Sequence, residues 1–176
     1  NAIELDDKDA GFYYKRADAY RKLEMYDLAL RDYFKSIDID PEDPLVYNNI
    51  ALVYHNLLED PQKAIEYYKK AFELEEDPLY LLNIGKAFAY QLDNYDSGLY
   101  YFNKGVDLFQ EDKESYSDRG YFYYYEEDYE SSISDYTNAI ELDDKDAGFY
   151  YKRADAYRKL EMYDLALRDY FKSIDI

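Results

Sequence analysis

The sequence predicts an all-α fold, a right-handed superhelix (solenoid) built from antiparallel pairs of short helices. Three observations support this fold class. An Asp recurs every 34 or 35 residues, each Asp is followed by a helical spacing of apolar residues, and each segment divides into two short helices around a tight turn. A helix pair of this size cannot bury its apolar faces alone, so neighbouring pairs must stack on one another.

The recurring Asp residues mark the predicted start of the first helix in each pair. They lie at Asp9, Asp43, Asp77, Asp112 and Asp146. An Asp in this position caps a helix, because its carboxylate accepts hydrogen bonds from backbone N–H groups that have no partner within the helix. Pro44 and Pro78 directly follow two of these residues, and proline is favoured at the first helical position.

Large and small residues recur three or four positions apart within each predicted helix, so they share one face. In the first repeat they are Tyr13, Arg16, Ala17, Tyr20, Ala29, Tyr33 and Ser36. Small residues allow two helices to approach closely, while Tyr rings fill the remaining space. We expect the Tyr20 ring to be buried between helices, in which case Tyr20→Ala would cost about 3–5 kcal/mol.

The repeat boundaries follow from this spacing. The predicted segments are 1–9, the end of a preceding repeat, and then five repeats at 10–43, 44–77, 78–112, 113–146 and 147–176, which form one continuous repeat domain. The second and third repeats have one added residue in the turn between their helices.

Residues 1–39 are identical to residues 138–176, so the fifth repeat is a copy of the first. The copy includes solvent-facing residues such as Lys8 and Arg31, which packing does not constrain. Fold requirements therefore do not explain it. A recent DNA duplication and an engineered origin both account for it.

The composition excludes several classes of function. The net charge of −19 argues against nucleic acid as a partner and against an anionic membrane surface. The chain contains no Cys, which excludes disulfides and thiolate ligands. No apolar run reaches the ~18–20 residues of a membrane span. Together these features favour a cytoplasmic location.

Catalytic chemistry has little support. His55 is the only histidine, and neither a phosphate-binding loop nor a G-x-G-x-x-G motif is present. Acidic residues cluster in turns, and segment 38–43 lacks the Gly that an EF-hand calcium loop needs at its sixth position. We therefore predict no enzyme activity, no cofactor and no metal site. We expect the helix C-terminal dipole to favour the protonated form of His55.

The pattern resembles the tetratricopeptide repeat family. The family signature W-x₂-L-G-x₂-Y…A-x₃-F…P, with its period of 34 residues, is matched with Tyr or Leu in place of Trp. The late Pro of the signature is present only as Pro41. The resemblance covers nearly the whole chain and implies a concave groove lined by the first helix of each pair.

The resemblance also implies which residues bind a peptide, through fixed positions in the first helices. In this sequence they are Tyr14, Lys15, Asp18, Arg21, Lys22, Asn48, Asn49, Leu52, His55, Asn83, Lys86, Tyr90, Tyr121, Tyr124, Tyr125, Tyr151, Lys152 and Arg158. The groove positions carry a small positive charge on a strongly acidic chain. We therefore predict a non-catalytic protein–protein interaction scaffold that binds an acidic or neutral peptide or a segment of a partner protein. Alternatively, Arg21 and Lys22 only complement a helix C-terminus.

Two other kinds of partner are chaperone C-terminal tails and further copies of this chain. The carboxylate clamp with which members of this family bind chaperone C-terminal tails is matched only at Asn49, so we predict no such clamp. A second hypothesis is a self-assembling structural superhelix, formed by head-to-tail association of uncapped, identical terminal repeats.

Overall fold

The structure is a computed structural model that describes residues 9–56 and 59–176. These residues form helices and no strands. The α-helices are α1 (Ala10–Lys22), α2 (Tyr26–Ile39), α3 (Pro44–Asn56), α4 (Pro61–Leu74), α5 (Pro78–Lys86), α6 (Tyr95–Leu108), α7 (Lys113–Tyr125), α8 (Tyr129–Leu142), α9 (Ala147–Lys159) and α10 (Tyr163–Asp175). Within the described ranges, no helix has the length and apolar character needed to cross a membrane. The predicted all-α solenoid fold is confirmed.

The chain divides into two compact units, the first ending at Asn94 and the second beginning at Tyr95. In the first unit α1 packs on α2 and α3 on α4, while α2 contacts α3 and α4 contacts α5. In the second unit α7 packs on α8 and α9 on α10, while α6 contacts α7 and α8 contacts α9. Each unit thus stacks its helix pairs side by side. Except for Asp9, the predicted segment 1–9 lies outside the described residues.

The predicted Asp caps are present at the first helix of every pair. The side chains of Asp9, Asp43, Asp77 and Asp146 accept a hydrogen bond at 2.8–2.9 Å from the backbone N–H two residues ahead. Asp112 accepts one at 2.8 Å from the N–H of Ser115. Each bond satisfies a donor that the helix leaves unpaired, so the spacing of Asp in the sequence is the spacing of helix starts.

The turns after α1, α7 and α9 share one hydrogen-bond pattern. After α7, the N–H of Asp128 donates to the carbonyl of Tyr123 at 2.9 Å, and the N–H of Glu127 donates to the carbonyl of Tyr124 at 3.2 Å. This pattern is a Schellman motif, and it recurs after α1 and after α9. The motif needs a left-handed residue, and Glu127 fills that position with a φ of 62°. A glutamate therefore holds a conformation that glycine adopts without strain.

Glu127→Gly is expected to raise the free energy of unfolding by about 1 kcal/mol, because glycine removes the strain of a positive φ. Urea unfolding followed by circular dichroism measures the change. The matched control is Glu126→Gly at the preceding residue, whose φ is −82°. Glu126→Gly should not stabilise the chain, and an equal gain from both substitutions would contradict the explanation by backbone strain.

The added residue of the second and third repeats enlarges the turn. The N–H of Asp60 donates to the carbonyl of Tyr54, and that of Asn94 to the carbonyl of Phe88, both at 2.9 Å. Each bond spans one residue more than its counterpart after α7. After α5 the extra residue is accommodated in a π-helical segment, Ala87–Gln91, which continues the helix.

The most deeply buried tyrosines lie on second helices, although the first helices also bury aromatic rings. The rings of Tyr33, Tyr68 and Tyr136 are at most 1% exposed. Tyr20 on α1 is only partly buried, and its ring centroid lies 6.0 Å from the guanidinium carbon of Arg16. The expectation that Tyr20 is enclosed between helices is therefore wrong, because Tyr33 fills the interior of this helix pair.

Buried ion pairs join the two helices of three pairs. They are Arg16–Asp32, Arg119–Asp135 and Arg153–Asp169, each sixteen residues apart and each with two hydrogen bonds. Their aspartates are 1–4% exposed. The second and third repeats have Ile and Tyr at the two positions, as Ile50 with Tyr67 and as Ile84 with Tyr101. The helical spacing of the sequence places Arg16 on the packing face but does not reveal its partner Asp32.

Candidate functional site

The predicted binding residues of the first unit lie on α1, α3, α5 and the π-helical segment, and all of them retain solvent exposure. Two hydrogen bonds connect these elements. The side-chain amide of Asn49 donates to Tyr14 Oη at 3.2 Å, and that of Gln91 donates to the carbonyl of His55 at 2.9 Å. The structure therefore brings predicted residues of successive first helices together on one surface, the first-helix face.

The basic residues at the end of α1 are paired with an acidic neighbour. Arg21 Nη2 lies 2.6 Å from one carboxylate oxygen of Asp18, and Lys22 Nζ lies 3.0 Å from the other. The hydrogen bond from Arg21 is the largest cause that holds the pKa of Asp18 below its usual value. The positive charge at the end of α1 is therefore only partly compensated, because Arg21 and Lys22 share one carboxylate.

His55 on α3 is partly buried, with its ring centroid 6.0 Å from that of Tyr68. Burial lowers the pKa of His55, and the positive charge of Lys86 lowers this pKa further. The neutral imidazole is thus favoured. The expectation that the helix dipole favours the protonated form is wrong, because the loss of hydration outweighs the dipole at this site.

The first-helix face of the second unit contains a pocket lined mainly by tyrosine rings. Its volume is about 250 Å³, and its lining residues are Tyr121, Tyr124, Tyr136, Tyr151, Lys152 and Asp155. We call it the tyrosine pocket. Tyr121 and Tyr151, from α7 and α9, are 46% and 52% exposed, whereas Tyr136 from α8 is 1% exposed. The pocket therefore has a buried ring on its inner side and accessible rings on two neighbouring first helices.

The sequence identified most of these residues but not all of them. Tyr121, Tyr124, Tyr151 and Lys152 were predicted to bind a ligand, and the structure brings them together. Tyr125 and Arg158 were also predicted, are exposed, and do not line the pocket. Tyr136 was missed, because its place in the repeat identifies it as a core residue and gives no sign that one face of its ring borders a pocket.

Lys152 connects the two first helices that border the pocket. Its Nζ donates to Ser117 Oγ at 3.2 Å and lies 5.9 Å from the ring centroid of Tyr136. The bond joins α9 to α7 as the bond from Asn49 to Tyr14 joins α3 to α1, and in both cases the two residues are 35 positions apart. Both units therefore bring the same two repeat positions into contact.

Asp155 is also engaged by neighbouring side chains. It accepts a hydrogen bond from Tyr170 Oη at 2.6 Å and lies 3.3 Å from the guanidinium of Arg158. Burial is the main cause that raises the pKa of Tyr170, and the bond to Asp155 raises this pKa further. The phenol therefore remains protonated and continues to donate to the carboxylate.

Metal chemistry has no support in the part of the chain that the structure describes. There, no group of three or more His, Asp or Glu side chains is arranged to hold a metal ion. The lining of the tyrosine pocket offers aromatic ring surface and hydrogen-bonding side chains.

Comparison with solved structures finds several proteins of the same fold. The structure of YrrB, described as a TPR protein with an unusual peptide-binding site, aligns with a TM-score of 0.66 at 24% identity over 99% of this chain and 89% of that one. A fragment of MamA from Desulfovibrio magneticus RS-1 gives 0.75 at 19% identity, over 96% and 94%. PilW, a type IV pilus biogenesis factor, gives 0.79 at 16% identity, over 96% and 78%. At these identities the likeness shows the fold alone.

Comparison with protein families gives three matches to repeats of one kind. A TPR repeat profile matches residues 17–57, and two tetratricopeptide repeat profiles match residues 45–78 and 118–175. No curated protein sequence matches the chain. The profiles agree with the helix pairs, the Asp caps and the solved structures of the same fold, so the chain belongs to the tetratricopeptide repeat family.

Proposed function

We propose that this chain is a non-catalytic protein–protein interaction scaffold that binds a peptide, or a segment of a partner protein, on its first-helix face. Repeats of this family are generally non-catalytic interaction modules. YrrB, which shares the fold, is described as having a peptide-binding site. These two facts make peptide binding the expected activity of the family.

The tyrosine pocket is the observation that carries the proposal. Its volume of about 250 Å³ is smaller than the roughly 300–1,000 Å³ of sites for drug-sized molecules. A pocket of this size suits one or two side chains of a peptide. Tyrosine suits the task, because its ring offers a rigid apolar surface and its hydroxyl a hydrogen bond, and it is enriched where proteins bind one another.

The first unit supplies groups that suit a peptide backbone. Asn48, Asn49 and Asn83 retain solvent exposure on the first-helix face. A side-chain amide has both donors and acceptors, so it pairs with the N–H and C=O groups of an extended chain. The first unit by itself therefore offers groups for contacts with the backbone of a peptide.

A peptide selected for binding to the whole chain from a random displayed library is expected to bind Tyr121→Ala about ten-fold more weakly or worse, because an accessible ring of the pocket is lost. Fluorescence anisotropy measures the two dissociation constants. The matched control is Tyr100→Ala, which removes a tyrosine that is 61% exposed on α6 and does not line the pocket.

Tyr100→Ala should bind as the unchanged chain does. Equal affinities for all three proteins would place the binding site away from the tyrosine pocket. A selection that yields no binding peptide would contradict the proposed function itself.

A further inference from the structure

We propose that the tyrosine pocket binds proline residues of a peptide in the polyproline II conformation. The inference rests on the proposed function and specifies the class of ligand at one site. The inference follows from two properties of the pocket. One is the charge of its lining side chains, and the other is the predominance of tyrosine rings among them.

The pocket does not favour a positively charged side chain. Lys152 Nζ already lies 5.9 Å from the ring centroid of Tyr136, where a cation would be attracted by the ring. A Lys or Arg of the ligand would bring a second positive charge close to Lys152. The net charge of −19 attracts cations over longer distances, but salt screens that attraction beyond about 8 Å at physiological ionic strength.

The pocket does not favour a negatively charged side chain either. Asp155 lines the pocket and brings a carboxylate into it. It already accepts a hydrogen bond from Tyr170 at 2.6 Å and lies 3.3 Å from Arg158. A Glu or Asp of the ligand would be attracted by Lys152 but repelled by this carboxylate, just as a ligand cation would be attracted by Asp155 but repelled by Lys152. A ligand charge of either sign therefore gains little in the pocket to offset its loss of hydration. The occupant with the lowest electrostatic cost is therefore uncharged.

Among uncharged residues, proline fits the lining best. Four of the six lining residues are tyrosines, and three of them, Tyr121, Tyr124 and Tyr151, retain exposure. Grooves lined with aromatic rings are the general solution for binding polyproline II segments, because a flat ring packs against the pyrrolidine ring. The ligand is already extended and rigid before it binds, so less conformational entropy is lost on binding than for a flexible chain.

The carbonyl groups of such a ligand also suit tyrosine. A polyproline II helix has no internal hydrogen bonds, and proline leaves its backbone rich in acceptors without donors. A phenol hydroxyl can donate to these carbonyls. Tyr121 and Tyr151, which are 46% and 52% exposed, stand on two neighbouring helices, so an extended peptide in the pocket would meet a tyrosine on either side.

The test uses a fluorescent oligoproline of about ten residues, long enough for three turns of polyproline II. Flexible Gly-Ser, Lys-rich and Glu-rich peptides of equal length serve as comparison ligands. We expect the oligoproline to bind the whole chain and the Gly-Ser peptide not to compete. Tyr151→Ala and, independently, Tyr121→Ala should weaken binding about ten-fold or more, whereas Tyr100→Ala should leave it unchanged.

Circular dichroism establishes that each variant is folded, and the two pocket variants on different helices keep the test valid if one of them unfolds.

Each other outcome overturns a defined part of the proposal. If the oligoproline does not bind, but a library-selected peptide does and loses affinity in Tyr121→Ala, the proposed function holds and the proline inference is wrong. If the oligoproline binds Tyr121→Ala and Tyr151→Ala as tightly as the unchanged chain, the pocket is not its site. If the Lys-rich or Glu-rich peptide binds the pocket more tightly, the argument for an uncharged ligand fails. If no peptide of any kind binds, the proposed function fails with it.

Discussion

Arg119→Ile is expected to lower the free energy of unfolding by about 3–5 kcal/mol. The substitution removes the guanidinium that bonds to Asp135 at 2.7 and 2.8 Å, while that aspartate is only 2% exposed. When a buried carboxylate has no partner, no ion pair offsets the cost of removing its charge from water, and the alternative is that it becomes protonated. Burial already raises the pKa of Asp135, and Arg119 opposes that rise. Urea unfolding at neutral pH measures the loss. Repeat arrays need not unfold in one step. The unfolding curves are therefore fitted with a model that gives each repeat its own stability and each interface between neighbouring repeats its own free energy.

The matched control comes from the chain itself. The double variant Arg119→Ile/Asp135→Tyr copies the residues that the second repeat has at these positions, Ile50 and Tyr67. It should recover most of the loss, because replacing a complete buried ion pair by well-packed apolar groups is often neutral or stabilising. A cost below about 1 kcal/mol for the single substitution would mean that the pair contributes little. A double variant as unstable as the single one would show that the two pairings are not interchangeable.

The helices and their caps could be predicted from the sequence, because they depend on local chemistry. An Asp before a helical pattern accepts hydrogen bonds from the backbone N–H groups of the next few residues, so its position in the sequence predicts where the helix begins. The ion pairs depend on residues in two different helices, and one helical periodicity does not reveal them. Comparison among the repeats contains the missing signal. Where the first helix has Arg119 the second helix has Asp135, and where the first helix has Ile50 the second helix has Tyr67.

The tyrosine pocket could be predicted only in part, for a related physical reason. Repeat position identified the residues that lie on the first-helix face, because that depends on the helix register. The pocket also depends on which side chains of a neighbouring pair lie beside them. Lys15 and Lys152 have identical flanking sequences, yet Lys15 is exposed whereas Lys152 is partly buried and bonded to Ser117 of α7. Identical sequences therefore acquire different surroundings, and only the structure distinguishes them.

Tyr68→Ala is expected to lower the free energy of unfolding by about 3–5 kcal/mol, as other substitutions of large aromatic core residues by alanine do. The side chain of Tyr68 on α4 is 1% exposed, and burial raises its pKa. Its removal exposes a cavity that the surrounding helices can refill only in part. Tyr20→Ala in the same unit should cost less. The Tyr20 ring remains partly solvated in the folded chain, so it buries less apolar area on folding than the Tyr68 ring does. Urea unfolding followed by circular dichroism compares the two variants.

A second substitution at the same position separates the ring from its hydroxyl. Tyr68→Phe keeps the ring, so its effect should not exceed about 1.5 kcal/mol, the range of a single hydrogen bond. If Tyr68→Phe were as damaging as Tyr68→Ala, the hydroxyl and not the ring would account for the stability at this position. If Tyr20→Ala were as damaging as Tyr68→Ala, the partly solvated Tyr20 ring would contribute as much to stability as a fully buried ring. The large difference expected between Tyr68 and Tyr20 therefore tests whether burial, rather than the mere presence of an aromatic ring, accounts for the stability at these two repeat positions.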